Sequence, residues 1–422
     1  MSSRLPRRQA EQRGLRLWPV GIVLVLAFIA AVLVAAVVFY AGWDLLGVTG
    51  LKPEPRIDSK TLFDLVKLAF GVVAGAGALV ALVVAYRRQR VDEDGAFRDA
   101  TRLHTERFTT AVSLLGEEPA AVRLGGVHAL AGLADDAPNR ELRQTCIDVL
   151  CAYLRLPYTA EADLPANDPK ARHTYLALRE VRHTVVRLLR DRLRLPLHHH
   201  HSWQGHDFDF TGVIFDGGDF SEAVFSGGTV EFTGAVFSGG TVDFTGAVFS
   251  GGAVDFHGVV FSGGTVDFSF VMFSGSSVSF SRSTLSGGTV DFHGSRCSGG
   301  AVLFVGLTLF GGTVDFDGAM FSGSTVRFNS STFSGSTVRF YGATFSGGTV
   351  DFDGSTFSNG TVHFNNSTFS GSTVHFDEAT FSGGAVDFSD AGGTAPASLL
   401  PGPGFPLPNG LILPTAWQSP PP

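Results

Sequence analysis

The chain has 422 residues with a formal net charge of −8, and it is unusually rich in Gly (53) and Phe (38). That length allows more than one domain. Its three cysteines, Cys146, Cys151 and Cys297, form no C-x-x-C pair, which argues against a disulfide framework or a cysteine zinc site. The acidic balance argues against nucleic acid as a direct ligand.

The first sixteen residues are basic, with Arg4, Arg7, Arg8, Arg13 and Arg16. From Leu17 to Trp43 no charge occurs over 27 residues, enough to cross a hydrocarbon core of about 30 Å as a helix. Trp18, Tyr40 and Trp43 stand where interfacial aromatics belong. A second uncharged run, Leu68 to Tyr86, follows a short polar loop. The first apolar stretch is too long for a signal peptide and no A-x-A site follows it, so two transmembrane helices are expected, over 17–43 and 62–86, joined by an external loop over 44–61. Arg87, Arg88 and Arg90 follow the second span, and the positive-inside rule then places both termini in the cytoplasm. Gly71 and Gly75 form a G-x-x-x-G pair, and Ala31 and Ala35 offer a small-residue face in the first span. Such faces suit close packing of the two helices or of two chains.

Residues 92–196 read as a helical module. Ala121 to Leu133 carries apolar residues at helical spacing and breaks at Asp135-Asp136-Ala137-Pro138-Asn139. Arg140 to Leu154 resumes the pattern, and Glu180 to Leu195 supplies a further helix. A linker, 197–205, contains His198, His199, His200 and His201. Imidazoles suit zinc, nickel or copper, but adjacent histidines in a linker lack the orienting partners of a metal centre, and no cofactor is expected. Glu117 with Glu118, and Asp135 with Asp136, read as helix starts or solvated turns rather than as catalytic pairs. No dinucleotide fingerprint, P-loop or nucleophile elbow is present.

From 206 to 390 the chain repeats. Phe225, Phe237, Phe249, Phe261 and Phe273 stand twelve apart, a second Phe precedes most of them by five, and Phe210, Phe215, Phe220 and Phe225 are evenly spaced by five. Units this short cannot bury an apolar face alone and must stack on neighbours. Phe210, Phe215, Phe220, Phe225, Phe232, Phe237, Phe244, Phe249, Phe256 and Phe261 are therefore expected in a core. Val242-Asp243-Phe244 alternates in, out, in.

The pentads Asp209-Phe210-Thr211-Gly212, Asp219-Phe220-Ser221 and Ala223-Val224-Phe225-Ser226-Gly227 resemble those of the pentapeptide-repeat family. That resemblance implies a right-handed four-sided β-helix with Phe or Leu inside. Later units add two residues, as at Gly240-Thr241, so that two twelve-residue units would make one coil. A coil of one unit with two sides is the alternative. The whole layout resembles two-span, membrane-anchored pentapeptide-repeat proteins of actinobacteria that carry a helical module before the repeats. The expected fold class is thus an α+β membrane protein whose helical module covers the open N-terminal edge of the β-helix. The Pro- and Gly-rich tail, 391–422, is read as mostly irregular, with Leu399-Leu400 and Leu411-Ile412-Leu413 apolar enough to fold over the last coil.

Charge is what remains for function. Residues 206–390 carry 18 acids against 4 Arg and no Lys, whereas residues 1–200 carry 27 basic and 21 acidic residues. In the four-sided coil Asp243, Asp267, Asp291 and Asp315 would stack on one face, with Asp255 and Asp351 on the opposite face and Arg327 interrupting that line. These six aspartates are the candidate interaction surface. The expected function is a non-enzymatic scaffold anchored in the bilayer that presents an acidic coil to a cytoplasmic protein, with self-association through the transmembrane helices. The alternative, implied by the family resemblance, is a DNA-mimic inhibitor of an enzyme such as gyrase. Against it stand the anchor and the many outward Ser and Thr where a mimic would need carboxylates.

Overall fold

A computed structural model of the chain describes residues 58–396 except 276, with 25, 26, 28, 29, 32, 33, 36, 37, 40, 41 and 44 before them and 399, 407 and 409–418 after them. The basic segment 1–16, most of the expected first span and residues 45–57 lie outside the described residues. The chain divides into two compact units, 1–100 and 101–422.

In the first unit the described positions between 25 and 44 are helical, and α1 (Ser59–Leu115) opens with the Asp58 carboxylate accepting from the Ser59 N–H at 2.8 Å. An acidic side chain there satisfies an orphan N–H and complements the helix dipole. Among the described residues α1 is the one helix long and apolar enough to cross a membrane, with a window of mean hydropathy 2.5 of which none is buried. It continues without a break across 87–91, where Arg90 meets Glu93 at 3.5 Å. Gly71 and Gly75 line an open apolar cleft of about 640 Å³ together with Phe28, Val32, Leu68 and Val72. A Cβ added at either glycine would meet nothing within 4 Å, so the pair does not hold two described helices of this chain in contact.

The second unit, which takes in the end of α1, holds α2 (Ala120–Asp135), α3 (Arg140–Leu154) and α4 (Pro169–Leu193) ahead of the repeats. Asn139 caps α3 by accepting from the Leu142 N–H at 2.9 Å, and Asp168 caps α4 ahead of Pro169, both strong start signals. Val127, Leu130, Ile147, Leu150, Val185 and Leu189 are fully buried between them.

The repeats form a right-handed parallel β-solenoid with four sheets. Its first side runs from Phe208–Asp209 to Thr373–His375, its second from Ile214–Phe215 to Thr380–Phe381, and its third from Gly218–Asp219 to Ala385–Asp387. The fourth runs from Val224–Ser226 to Thr368–Ser370 and ends on Gly392–Gly393. Strands are two or three residues long because each side is one pentad wide, with one inward residue at its centre. Phe237 pairs with Phe261 and Val242 with Val266, so the coil repeats every two units and the two-sided alternative is excluded.

Inside, rings stack in columns along the axis. Phe232 lies 4.5 Å from Phe256 with planes 6° apart, and Phe244 lies 4.8 Å from Phe268 at 10°. Neighbouring columns meet edge to face, as Phe244 and Phe256 do at 86°, which suits the ring quadrupoles. All ten of the core phenylalanines named from the sequence are at most 4% exposed. Leu285, Cys297 and Leu309 take Phe positions in the columns and are buried too. At several positions where the interior small residue is Ser, its hydroxyl donates to a carbonyl of the coil before, as Ser283 does to Phe256 at 2.9 Å and Ser355 to Phe328 at 2.6 Å.

Two of the four corners are wide, and these hold the extra pair of residues. At Gly264 φ is +71° and an added Cβ would lie 2.2 Å from the Gly240 carbonyl oxygen. A side chain there meets both left-handed backbone and the coil beneath.

Both ends are closed. The N-terminal coil receives α3 and α4: Gln144 donates to the Asp207 carbonyl at 2.8 Å, Arg155 to that of Asp209 at 3.1 Å, and Arg182 to that of Ile214 at 2.6 Å. An open solenoid end would leave such groups as an unpaired edge. At the other end Leu411–Ile412 adds a parallel strand to Ala385–Asp387, and Trp417 sits 5.8 Å from Phe369 and 5.9 Å from Phe388.

Candidate interaction faces of the coil

The outward residue after each central Val defines a row along its side. On the third side the register runs Asp219, Asp243, Asp267, Asp291, Asp315, Arg339, His363, Asp387. On the first side, opposite, it runs Asp209, Glu231, Asp255, Ser279, Leu303, Arg327, Asp351, His375. Neighbours in a row are one coil apart, about 4.8 Å.

These aspartates have a local task. Asp243, Asp255, Asp267, Asp291 and Asp315 each accept through Oδ1 from the N–H two residues on, all at 2.8 Å, and Asp351 does so at 3.0 Å. Such Asx turns close a corner, which is why the residue recurs at this place. One carboxylate oxygen is thereby used by the fold, and the other is left for a neighbour.

The third-side row is treated differently along its length. At its start Arg190 of α4 pairs with Asp219. At its fifth member Arg339 pairs with Asp315 and reaches Asp317 at 3.0 Å, which leaves Asp315 only 8% exposed. Burial opposes the charge on Arg339, but Asp315 and Asp317 raise its pKa above the usual arginine value. Between these ends no Arg or Lys among the described residues pairs with Asp243, Asp267 or Asp291, and the basic side chain near Asp291 is His293. Burial, with the carboxylates of Asp315 and Asp267 on either side, pushes Asp291 above the usual carboxylate range despite the His293 N–H.

A second polar centre, with no signature in the sequence pattern, lies at the joint between the helices and the first coil. The first coil lacks the two extra residues at its second wide corner: Phe215 pairs 22 residues on with Phe237, while Gly218 pairs 24 on with Val242. Asp216 sits in that tight corner, 6% exposed. It accepts from the Tyr158 hydroxyl at 2.6 Å and the Tyr175 hydroxyl at 2.7 Å, and meets His183 at 3.3 Å and Arg179 at 3.4 Å. Burial alone would raise its pKa, but the hydrogen bonds from His183, Tyr158 and Tyr175 hold it well below the usual carboxylate range. Both tyrosines are shifted upward, by burial first and then by Asp216. Arg182 lies over the Tyr158 ring at 4.2 Å. A cavity of about 400 Å³ opens beside Tyr158 and Tyr175. The two hydroxyls and His183 converge on the one carboxylate, as in a structural lock.

The other candidates resolve into structural parts. Asp135 accepts from Arg192 at 2.9 Å and from the Trp203 indole at 3.0 Å, tying α2 to the linker. His199 stacks on His200 at 4.7 Å in an exposed turn. Among the described residues no group of three or more His, Cys, Asp or Glu is placed to hold a metal ion. The three thiols are buried, and burial pushes each pKa up to about 12.

No curated protein and no solved structure matches the chain. The stretch 261–307, where Leu, Cys and Ser interrupt the pattern, lies between two segments that do match a family model. Residues 210–260 and 308–355 are similar to pentapeptide repeats, matched in nine copies by the model of that family.

Proposed function

We propose that the chain is a membrane-anchored, non-enzymatic interaction module whose solenoid presents its outward rows to a cytoplasmic protein. The observation that carries this reading is the middle of the third-side row: three half-buried carboxylates, one coil apart, with no Arg or Lys among the described residues paired with them and only His293 near Asp291. Stability gains nothing from stacked like charges, whereas a docking face does. The anchor is assigned to α1 and to the apolar run 17–43, with both termini in the cytoplasm on the strength of the basic flanks. Self-association through the cleft at Gly71 and Gly75 fits the same picture.

The DNA-mimic alternative fits less well. Its rows would need to continue, but Arg339 and His363 break the third side and Leu303 and Arg327 break the first.

The test is in-cell photocrosslinking from single outward positions, Thr289 on the third side and Thr332 on the second. A discrete adduct with another protein from at least one position supports the module. Absence of any adduct from positions on all four sides overturns it.

A further inference from the structure

The third side differs from the others in a second respect. Among the described residues of the coil, the exposed large apolar side chains are Phe270, Met272, Phe310, Met320 and Tyr341. Phe310 lies at the corner between the second and third sides, Phe270 and Tyr341 at the corner between the third and fourth, and both methionines on the adjoining fourth side. None is on the first side. Of the aromatics, Phe270 lies in the coil of the unpaired Asp267, while Phe310 and Tyr341 lie in the coils of Asp315 and Arg339.

Phe270 is the most informative of them. It is 58% exposed and its φ is +57°, in the left-handed region, which a bulky L-residue occupies at a cost of about 1–2 kcal/mol. Gly246, Gly294, Gly318 and Gly342 take this corner in other coils, while Glu222 (φ +56°) and Asn366 (φ +57°) take it in two more, so Phe270 is the aromatic among glycines and polar residues. The ring rests over Gly294, where an added Cβ would come within 2.7 Å of it, and stands edge-on to His293 at 5.5 Å. Phe270 is the one aromatic among the left-handed non-glycine residues described in the coil, and strain of this kind collects at functional positions.

We infer that the third side, from the coil of Asp243 to that of Asp315, receives a basic α-helix of a partner protein, laid along the solenoid axis with Arg side chains on the unpaired aspartates and an apolar residue against Phe270. The inference rests on the module reading above and names the face and the chemistry of its partner. The chain itself shows the contact: Arg339 supplies a guanidinium to Asp315 and Asp317, and Arg190 supplies one to Asp219. A partner arginine at Asp243, Asp267 or Asp291 repeats it, as a charge-assisted bond to the oxygen the Asx turn leaves over. Spacing selects the helix. Side chains at i, i+3 or i+4, and i+7 advance about 5 Å per step at 1.5 Å per residue, close to the coil spacing of about 4.8 Å. An extended strand repeats a face only every 6.6 Å or about that, and drifts off the row within two coils. Arginine also stacks on aromatic faces, which lysine does less well.

The experiment uses the full chain in lipid nanodiscs and a fluorescent helical peptide of Ala and Gln with Arg at i, i+4, i+7 and i+11. A second peptide has the same composition with its arginines spread around the helix. The striped peptide is expected to bind at least tenfold more tightly than the spread one, and to weaken at least tenfold against the double variant Asp267→Asn, Asp291→Asn. Asn keeps the acceptor that each Asx turn needs, so the corner survives the change. The pair Asp255→Asn, Asp351→Asn on the first side is expected to leave binding unchanged. Equal binding of the two peptides, or equal binding to the Asp267→Asn, Asp291→Asn chain, overturns the inference. If the striped peptide fails while Thr332 on the second side yields a protein adduct in cells, the inference falls and the module reading stands.

Discussion

Phe237 stacks on Phe261, with ring centroids 5.2 Å apart and planes at 12°. The column continues through Leu285 and Leu309 to Phe333, so a gap at Phe261 is felt by the Phe237 ring on one side and Leu285 on the other. Phe261→Ala is expected to destabilise the second unit by about 3–5 kcal/mol, read as the shift in urea midpoint by pulse proteolysis of the detergent-solubilised chain. A loss below about 1 kcal/mol would mean that the columns are loosely packed.

Glycines of the corners divide by the space around them. Gly264→Ala meets the Gly240 carbonyl at 2.2 Å as well as a φ of +71°, while Gly258→Ala has a φ of +65° and open space. The first is expected to cost about 2–5 kcal/mol from overpacking and strain together, and the second about 1 kcal/mol from strain alone. Comparing the two melts separates steric contact from backbone conformation; equal losses would contradict the packing of wide corners.

Phe270→Gly is expected to stabilise the chain by about 1 kcal/mol, because it removes the left-handed strain of a bulky residue. The same change is expected to weaken the striped peptide severalfold. A variant that is more stable yet binds less is what a strained recognition residue predicts. Loss of stability instead would show that the ring holds the corner together.

Asp216 links the helices to the first coil, and its removal should be costly. Asp216→Ala leaves the hydroxyls of Tyr158 and Tyr175 without their acceptor and Arg179 without its counter-charge, and is expected to cost about 3–5 kcal/mol. Its pKa is depressed in the fold, so the carboxylate's contribution is complete above the unfolded value of about 3.9 and is lost as pH falls through the lower folded value. The wild-type melting temperature should therefore fall more steeply below about pH 4 than that of Asp216→Asn; parallel curves would refute the lock.

Asp291 has the opposite sign. Its folded pKa is raised, so the penalty of its charge is complete above that value and disappears as pH falls toward the unfolded value of about 3.9. Asp291→Asn is expected to stabilise at pH 7 and to be neutral near pH 4. A destabilised variant at pH 7 would show that the row carries a compensating cation within the chain.

Much of the solenoid is legible in a one-dimensional pattern because its contacts are periodic. A Phe every five or seven residues points inward in every coil, so Phe210 through Phe261 could be named as core before any coil was drawn. The Asp row was legible for the same reason: any residue 24 on falls on the same side. The Asx turns explain why Asp recurs there, a local reason that spacing conceals.

What periodicity could not decide was which unit rests on which. Twelve and 24 residues per coil give the same pattern of aromatics, and only the pairing of Phe237 with Phe261 separates them. The aperiodic contacts were equally hidden. Asp216 meets Tyr158, Tyr175 and His183 across 58, 41 and 33 residues, and Arg190 reaches Asp219 from another element. The sequence by itself determined the class of coil, its core and the two acidic rows, since these follow from side-chain volume and repeat length. Only the tertiary structure decided which aspartates are neutralised and which stand free, because that depends on the arginines that folding brings beside them.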